Sequence, residues 1–401
     1  MEAALEFIPG GTVTSAKGFS AGGTCAGIKK SPKNALDLGI IYSKAPCITA
    51  GMFTKNNMKS AHVLLCQKRL PSNAIRALVV NSGCANAGTG KQGINNALSM
   101  ASSTAERLGI AAEEVLVAST GIIGKQLPID SMVSAIKTIE VSPDGGHTLA
   151  RAILTTDTVT KEAAIRAEGF TIGAIAKGSG MVHPDMGTLL CFLTTDANIE
   201  MDFCTRSLGQ AVDISFNMVS IDGDNSPNDT ALLMANGLSG KEVITGKSSQ
   251  ASLFQQALNE ICIYIARAIA SDGEGAGKLI EATVSSAASI ADARAAARAI
   301  TSSSLVKAAI HGNDPNWGRI VAAAGRSGAE MIEAKIDLNI GGICLLKDGC
   351  QLAYDRDKVV RLLKDSPVAI ELNLNLGEAK ATAWGCDLSP EYVTINSEYT
   401  T

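Results

Sequence analysis

Apolar residues recur along this chain in two rhythms. From Asp37 to about Thr54 the residues are apolar and β-branched, and Ala74–Val80 (AIRALVV) forms a second such run; both predict strands. Glu114–Ala118 predicts another. So does Leu189–Leu193, which follows an irregular stretch, KGSGMVHPDMGT. Near the end, AIELNLNL alternates strictly. Ile370, Leu372, Leu374 and Leu376 face one way, and Glu371, Asn373 and Asn375 the other, which predicts a strand with one wet face. The helical rhythm occupies Lys91–Gly109, Ser131–Glu140 and His147–Leu154. In Leu253–Ala270 it places Phe254, Leu258, Ile261, Ile265 and Ala268 on one face. Ala291–Ile310 reads as one alanine-rich helix. Strands and helices mix without a regular βαβ beat. The expected class is therefore α+β, or layered α/β with much antiparallel pairing. No internal repeat or low-complexity linker divides the chain, and the one compositional seam is the Gly-rich loop at 177–188.

Composition narrows the function classes. The chain has 401 residues, of which 46% are hydrophobic and 18% charged, enough for a substantial core. A formal net charge of −4 offers no general attraction to phosphate backbones, so no nucleic-acid partner is expected. The N-terminal MEAALEFIPGG carries acids where a secretory signal carries bases, and no run has the length and apolarity of a membrane span. The ten cysteines form no CxxC pair and stand at no zinc-like spacing from the four histidines, so reduced thiols in a cytoplasmic protein without a bound metal are expected.

Several stretches carry candidate chemistry. GTGKQG (88–93) fits G-x-G-x-x-G, yet seven residues separate it from the preceding strand, and no acid follows at the far end of the next one. It reads as a coincidental glycine-rich loop. GEGAGK (273–278) lacks phosphate-loop spacing and reads as a turn between helix and strand. IDGDNSPND (221–229) packs three aspartates into one loop. EF-hand spacing fails, and Asx-turns are the simpler account. His183 reads as a loop histidine without a partner. STGIIG (119–124) follows an apolar strand, and its small residues suit backbone N–H groups aimed at a developing oxyanion; they equally suit an ordinary turn. The last candidate is Gly187-Thr188. Were that bond broken, Thr188 would carry its own α-amine, a base with a pKa of about 8 beside a nucleophilic hydroxyl. By spacing alone, Thr188 reads as the start of a buried strand.

Taken together, these blocks resemble the ornithine acetyltransferase family, the bifunctional glutamate N-acetyltransferases of arginine biosynthesis. The resemblance runs through GGTVTSAKGF, FTKNNMKSAHV, NSGCANAGTG, STGIIG, TTDTVTKEA, KGSGMVHPDMGTLLCFLTTDA, SIDGDNSPNDT, SDGEGAGKLIEA, HGNDPNWGRI and AWGCDLSPEYVTINSEYTT, so it covers essentially the whole chain. It implies a layered sandwich of mixed, largely antiparallel sheets with helices, in an autoprocessing enzyme of N-terminal-nucleophile type. It implies self-cleavage at Gly187-Thr188 into an α chain, 1–187, and a β chain, 188–401, assembled as a heterotetramer of two α and two β chains. By similarity Thr188 is the nucleophile, and Thr120 and Gly121 stabilise the oxyanion. Thr155, Lys177, Thr188, Glu274, Asn396 and Thr401 bind substrate. The implied reaction moves an acetyl group from N2-acetylornithine to glutamate, with acetyl-CoA as a second candidate donor and no cofactor. The nearest alternative is an N-terminal-threonine amidase or aminopeptidase that passes the acyl group to water. Two departures from the family pattern leave specificity open: Gly277 stands where threonine is usual, and Cys84 where asparagine is.

Overall fold

The computed structural model describes residues 5–30, 35–183 and 189–398. Its strands are β1 (Glu6–Phe7), β2 (Phe19–Thr24), β3 (Leu38–Phe53), β4 (Ser72–Asn81), β5 (Val115–Ser119), β6 (Lys161–Ala167), β7 (Phe170–Lys177), β8 (Leu190–Thr195), β9 (Val219–Ser220), β10 (Thr230–Ala235), β11 (Leu279–Ala287), β12 (Asp337–Ile340), β13 (Ile343–Lys347), β14 (Cys350–Gln351), β15 (Val368–Asn373) and β16 (Ala379–Cys386). The chain forms two compact units that interleave in sequence. One takes Met1–Gly178, Thr188–Asp213 and Asn225–Ile265. The other takes Ser179–Gly187, Ile214–Asp224 and Ala266–Thr401. This is a different kind of division from a cut after residue 187.

Among the described residues the first unit holds a nine-stranded sheet in the order β1-β6-β7-β8-β10-β3-β4-β5, with β2 also paired to β3. Most pairs are antiparallel; β8 with β10 and β4 with β5 are parallel. The runs ALVV (77–80) and VLVA (115–118) are apolar throughout because both faces of the sheet are covered. Successive side chains serve opposite cores. Ala77, Val79, Val115 and Val117 pack with Met100 and Ala101 of the helix Gly90–Leu108 and Met132 and Ile136 of the helix Ile129–Ile136. Leu78, Val80, Leu116 and Ala118 pack with Leu149 of the helix Gly146–Ala152, Phe192 of β8 and Leu232 of β10. The helix Gly90–Leu108 stops at Gly109, whose φ of +66° makes the left-handed exit that glycine allows.

The second unit holds a seven-stranded sheet among the described residues, ordered β14-β13-β12-β15-β11-β16-β9. The helix Ile290–Thr301 packs on β11 and β16 through Ala293, Ala296, Ala297 and Ile300, one i, i+3, i+4, i+7 stripe.

Three expectations change. The single helix expected over Ala291–Ile310 is two, Ile290–Thr301 and Ser304–His311. The Ser303 hydroxyl accepts from the Val306 N–H and starts the second, a cap that interrupts an otherwise helix-favouring alanine run. The alternating strand stops at Asn373, and Asn375 turns at a φ of +51°. The buried face of the helix Ala251–Ser271 ends on Ile269 and Ala270, while Ala268 is half-buried. The layered α+β class, with mixed and largely antiparallel sheets, is what the structure has.

Candidate active site

Strands β4 and β5 run parallel, so the loops that follow them leave from the same end of the sheet. The loops are zipped together. The Thr120 N–H donates to Asn81 O (3.0 Å), the Ala85 N–H to Ile122 O (2.9 Å) and the Gly124 N–H to Ala87 O (2.8 Å). Gly121 sits in this zipper at a φ of +125°. A Cβ there would lie 2.4 Å from the Gly83 carbonyl carbon and 2.5 Å from the Cys84 nitrogen, so only glycine fits. Thr120 beside it is buried. The STGIIG turn is thus a rigid backbone feature, with the two proposed oxyanion residues adjacent.

A third loop clamps it. Asn228 Nδ2 donates to Ala85 O (2.6 Å) and Ser119 O (2.7 Å). Asn228 immediately precedes Asp229 and β10, which pairs with the far end of β3 (Phe53 to Thr230), whereas β4 pairs with its near end (Leu38 to Asn81). This 16-residue strand shifts register against β4 between Tyr42 and Cys47 and between Cys47 and Thr49. The FTKNNMKSAHV segment secures the clamp. The Thr54 hydroxyl donates to Ser226 O (2.7 Å), the Thr54 N–H to Asp229 O (3.0 Å) and the Ser60 N–H to Pro227 O (3.0 Å). His62 Nε2 lies 3.1 Å from Asn228 O, and its Nδ1 lies 2.9 Å from Ser60 Oγ. Burial pushes the His62 imidazole down to about 3, so it stays neutral and structural at physiological pH.

Buried acceptors collect around this clamp. Asn81 Oδ1, Ser119 Oγ, Asn228 Oδ1 and both Asp229 carboxyl oxygens hold no hydrogen bond among the described residues. Such groups each cost about 1–3 kcal/mol when left unmet.

The same unit brings Thr155 and Lys177 onto one carboxylate. Asp157 is fully buried. It accepts from the Thr155 N–H (3.0 Å), the Gly178 N–H (2.7 Å) and Lys161 Nζ (2.8 Å), and Lys177 Nζ lies 3.9 Å away. Burial alone would raise the Asp157 carboxyl. Lys177, Lys161 and the hydrogen bonds outweigh it and hold the group far below the usual carboxylate range. Asp157→Asn leaves two buried ammonium groups without a full counter-charge and is expected to cost about 3–5 kcal/mol at pH 7, measured by urea unfolding. The folded carboxyl binds its proton more weakly than the unfolded one. Its stabilisation is therefore present above the ordinary carboxylate pKa of about 4 and is lost as pH falls toward the folded value; the variant lacks that acid loss.

In the second unit Glu274 and Asn396 meet. Asn396 Nδ2 donates to Glu274 Oε2 (2.8 Å) and to Tyr392 O (2.9 Å). The Glu274 N–H donates to Ser179 O (2.8 Å), and Gly180 lets the carboxylate lie against its backbone, where a Cβ would come within 2.5 Å of both carboxylate oxygens. GEGAGK is a turn between the helix Ala251–Ser271 and β11, as expected. Gly277 donates its N–H to Asp387 (2.8 Å), and a Cβ there would make ordinary contact with that carboxylate at 3.4 Å, so the site tolerates a side chain. Cys84 is buried, and its Sγ lies 3.2 Å from Lys125 O.

The aspartate-rich loop divides its work. Asp222 accepts from the N–H groups of Met181 (2.5 Å), Val182 (2.9 Å) and Asp224 (3.2 Å), the Asx-type use expected. His183 does have a partner, Ser220 Oγ at 3.0 Å, contrary to expectation. The structure thus joins Thr120 with Gly121, Thr155 with Lys177, and Glu274 with Asn396. Gly187, Thr188 and Thr401 lie outside the described residues. Sequence reasoning missed Asp157, Lys161, Asn228, Asp229 and His62 as site-forming residues. TTDTVTK, NSPNDT and FTKNNMKSAHV contained them, but most of their partners lie far away in the chain.

A family model described as the ArgJ family matches residues 20–401. The chain belongs to the ArgJ family. Among curated ArgJ relatives, the "Arginine biosynthesis bifunctional protein ArgJ" of Dehalococcoides mccartyi is 48% identical, with both chains covered completely. That of Symbiobacterium thermophilum is 46% identical over 99% of this chain and all of the relative. A crystal structure of the ArgJ protein of Bacillus halodurans superposes with a TM-score of 0.51 at 42% identity, covering 52% of this chain and 98% of that one.

Proposed function

We propose that this chain is an acetyltransferase of arginine biosynthesis that cuts itself before Thr188 and uses the freed threonine as nucleophile. Thr188 Oγ attacks the acetyl carbonyl of N2-acetylornithine while the α-amine of Thr188 takes the hydroxyl proton. The Thr120 hydroxyl and the Gly121 N–H meet the oxyanion. The C–N bond breaks, the proton passes to the leaving nitrogen, and ornithine departs from an acetyl-Thr188 ester. Glutamate then attacks that ester through its amine, giving N-acetylglutamate and returning the proton to Thr188. Lys177 and Thr155 are assigned to a substrate carboxylate, and Glu274 with Asn396 to a substrate amine, by charge-assisted bonding. Thr401 is assigned to the substrate site on the resemblance alone. No metal or organic cofactor enters this mechanism. The relatives' name, bifunctional, favours acetyl-CoA as a second donor, and a tetramer of two α and two β chains is the proposed assembly.

The observation that carries this reading is the STGIIG turn. Its glycine is obligatory, and three separate loops converge to hold it. Preorganised donors of this kind accelerate acyl transfer because they need not reorient as charge develops. The test is a denaturing intact-mass spectrum after brief exposure to N2-acetylornithine. Two chains split at Gly187-Thr188, with one acetyl on the 188–401 fragment, are expected. A single unacetylated chain would overturn the mechanism. Product assays with and without glutamate separate transfer from the amidase alternative, which releases acetate in either case.

A further inference from the structure

We propose that Asp387 is a positioning residue for the acetyl-donor substrate, holding in place the turn that presents Glu274. The inference rests on the assignment of Glu274 to a substrate amine made above. N2-acetylornithine brings a side-chain amine that takes no part in the reaction, and glutamate brings none. A carboxylate in that role serves the acetyl donor, and so does whatever sets its position.

The turn has little stiffness of its own. Three of the five residues in GEGAG (273–277) are glycine, which leaves the backbone many conformations. An internal bond closes it, from the Ala276 N–H to Gly273 O (2.8 Å). Glu274 and Gly275 are the two corner residues, and Gly275 takes a φ of +68°. The direction in which the Glu274 side chain leaves the backbone therefore depends on what holds the corner and the two legs. On the entry leg, the Ser179 hydroxyl donates to Asp272 O (2.7 Å), and the Glu274 N–H donates to Ser179 O (2.8 Å). At the corner, the Ser389 hydroxyl donates to Gly275 O (2.6 Å). The exit leg is held by Asp387. Its Oδ1 accepts from the N–H groups of both Gly277 and Lys278, each at 2.8 Å, and its own N–H returns to Lys278 O (3.1 Å).

Asp387 is well suited to anchor that leg. It directly follows β16, and its side chain is 1% exposed. Its other oxygen, Oδ2, lies 2.8 Å from His311 Nδ1. A carboxylate only accepts, so the imidazole donates. That bond fixes the plane of the carboxylate, and with it the way Oδ1 faces the two amides. Charge-assisted bonds of this kind are stronger than neutral ones. Gly277 lies three residues beyond Glu274, so Asp387 acts on the Glu274 carboxylate through the turn.

The experiment measures kcat/KM for N2-acetylornithine and for glutamate separately, per cut chain, in wild type and variants. Asp387→Ala is expected to lower the value for N2-acetylornithine about 10-fold or more, since small misplacements are expensive, and to leave that for glutamate within about twofold. Asp387→Asn keeps an oxygen for both amides and is expected to stay within about threefold of wild type for both substrates. In a Glu274→Gln background, Asp387→Ala is expected to add less than about twofold, because the two residues act as one unit. His311 is 42% exposed, so its loss should not threaten the fold. His311→Ala is expected to show the same selective loss, smaller, at about threefold. It decides the matter should Asp387→Ala not fold. Equal losses for both substrates overturn the proposal, because a merely structural role lowers the active fraction alike for each. Full additivity with Glu274→Gln overturns it too, as does a folded Asp387→Ala, or His311→Ala in its place, without selective loss. If Glu274→Gln alone leaves N2-acetylornithine turnover unchanged, the assignment of Glu274 fails instead, and that failure is read independently of Asp387.

Discussion

Thr188→Ala stays in one piece at 41.3 kDa, takes up no acetyl group from N2-acetylornithine and loses transfer activity by at least about 10⁴-fold. The size of the effect follows from the chemistry. In the proposed mechanism one hydroxyl is both the group that opens the peptide bond and the group that carries the acetyl. Its removal leaves the oxyanion donors and the substrate contacts with nothing to stabilise. The fold should tolerate the change, because β8 begins two residues later and takes its register from β7 and β10. Thr188→Ser keeps a hydroxyl and is expected to cut. Electrophoresis under denaturing conditions, followed by a two-substrate assay, reads both consequences. A Thr188→Ala chain that still splits would place the cut elsewhere; one that still transfers acetyl would remove the ester from the mechanism.

Gly121→Ala carries the second large effect, for a reason set in the backbone. The new methyl would enter a space bounded by the Gly83 carbonyl carbon and the Cys84 nitrogen, both under 2.6 Å away, at a φ of +125°. Neither neighbour is a flexible side-chain end. The turn must shift, and the N–H proposed to meet the oxyanion shifts with it. Loss of one such donor costs about 3 kcal/mol in the barrier, or roughly 100-fold in kcat. Backbone strain adds about 1–3 kcal/mol of destabilisation. Kinetics beside a melting curve separate the two effects. If kcat is unchanged while Tm falls, Gly121 is only a folding requirement, and its N–H is not the donor.

Parts of this were legible in the chain. The strands buried on both faces announced themselves as continuous apolar runs, and STGIIG stood out because small residues are needed wherever backbone must approach backbone. The rest depended on partners remote in sequence. TTDTVTK looks like an exposed i, i+4 pair, yet Asp157 and Lys161 are wholly buried because Lys177 and the Gly178 N–H close over the same carboxylate. IDGDNSPND does hold an Asx-type acceptor, Asp222. Its Asn228 is instead a clamp on Ser119, 109 residues earlier. The register shifts of β3 against β4 are likewise something hydrophobic pattern does not encode. The alanine run at 291–310 misled because helix propensity outweighed the serine cap inside it.

The order of strands in the first sheet has a consequence for maturation. β8 and β10 come from the 188–401 side of the seam, yet they lie between β7 and β3 from the other side. A cut after Gly187 would sever one covalent link and leave both flanking ladders intact. The products would travel together through any native separation, and neither would be released as a free fragment. The timing is constrained as well. Asn228 reaches Ser119 only after β10 has taken its place beside β3, so the turn that would receive the oxyanion is assembled late. Cutting would then act as a proofreading mark on the chain, in which a break at one bond certifies that strands nearly two hundred residues apart have already found each other.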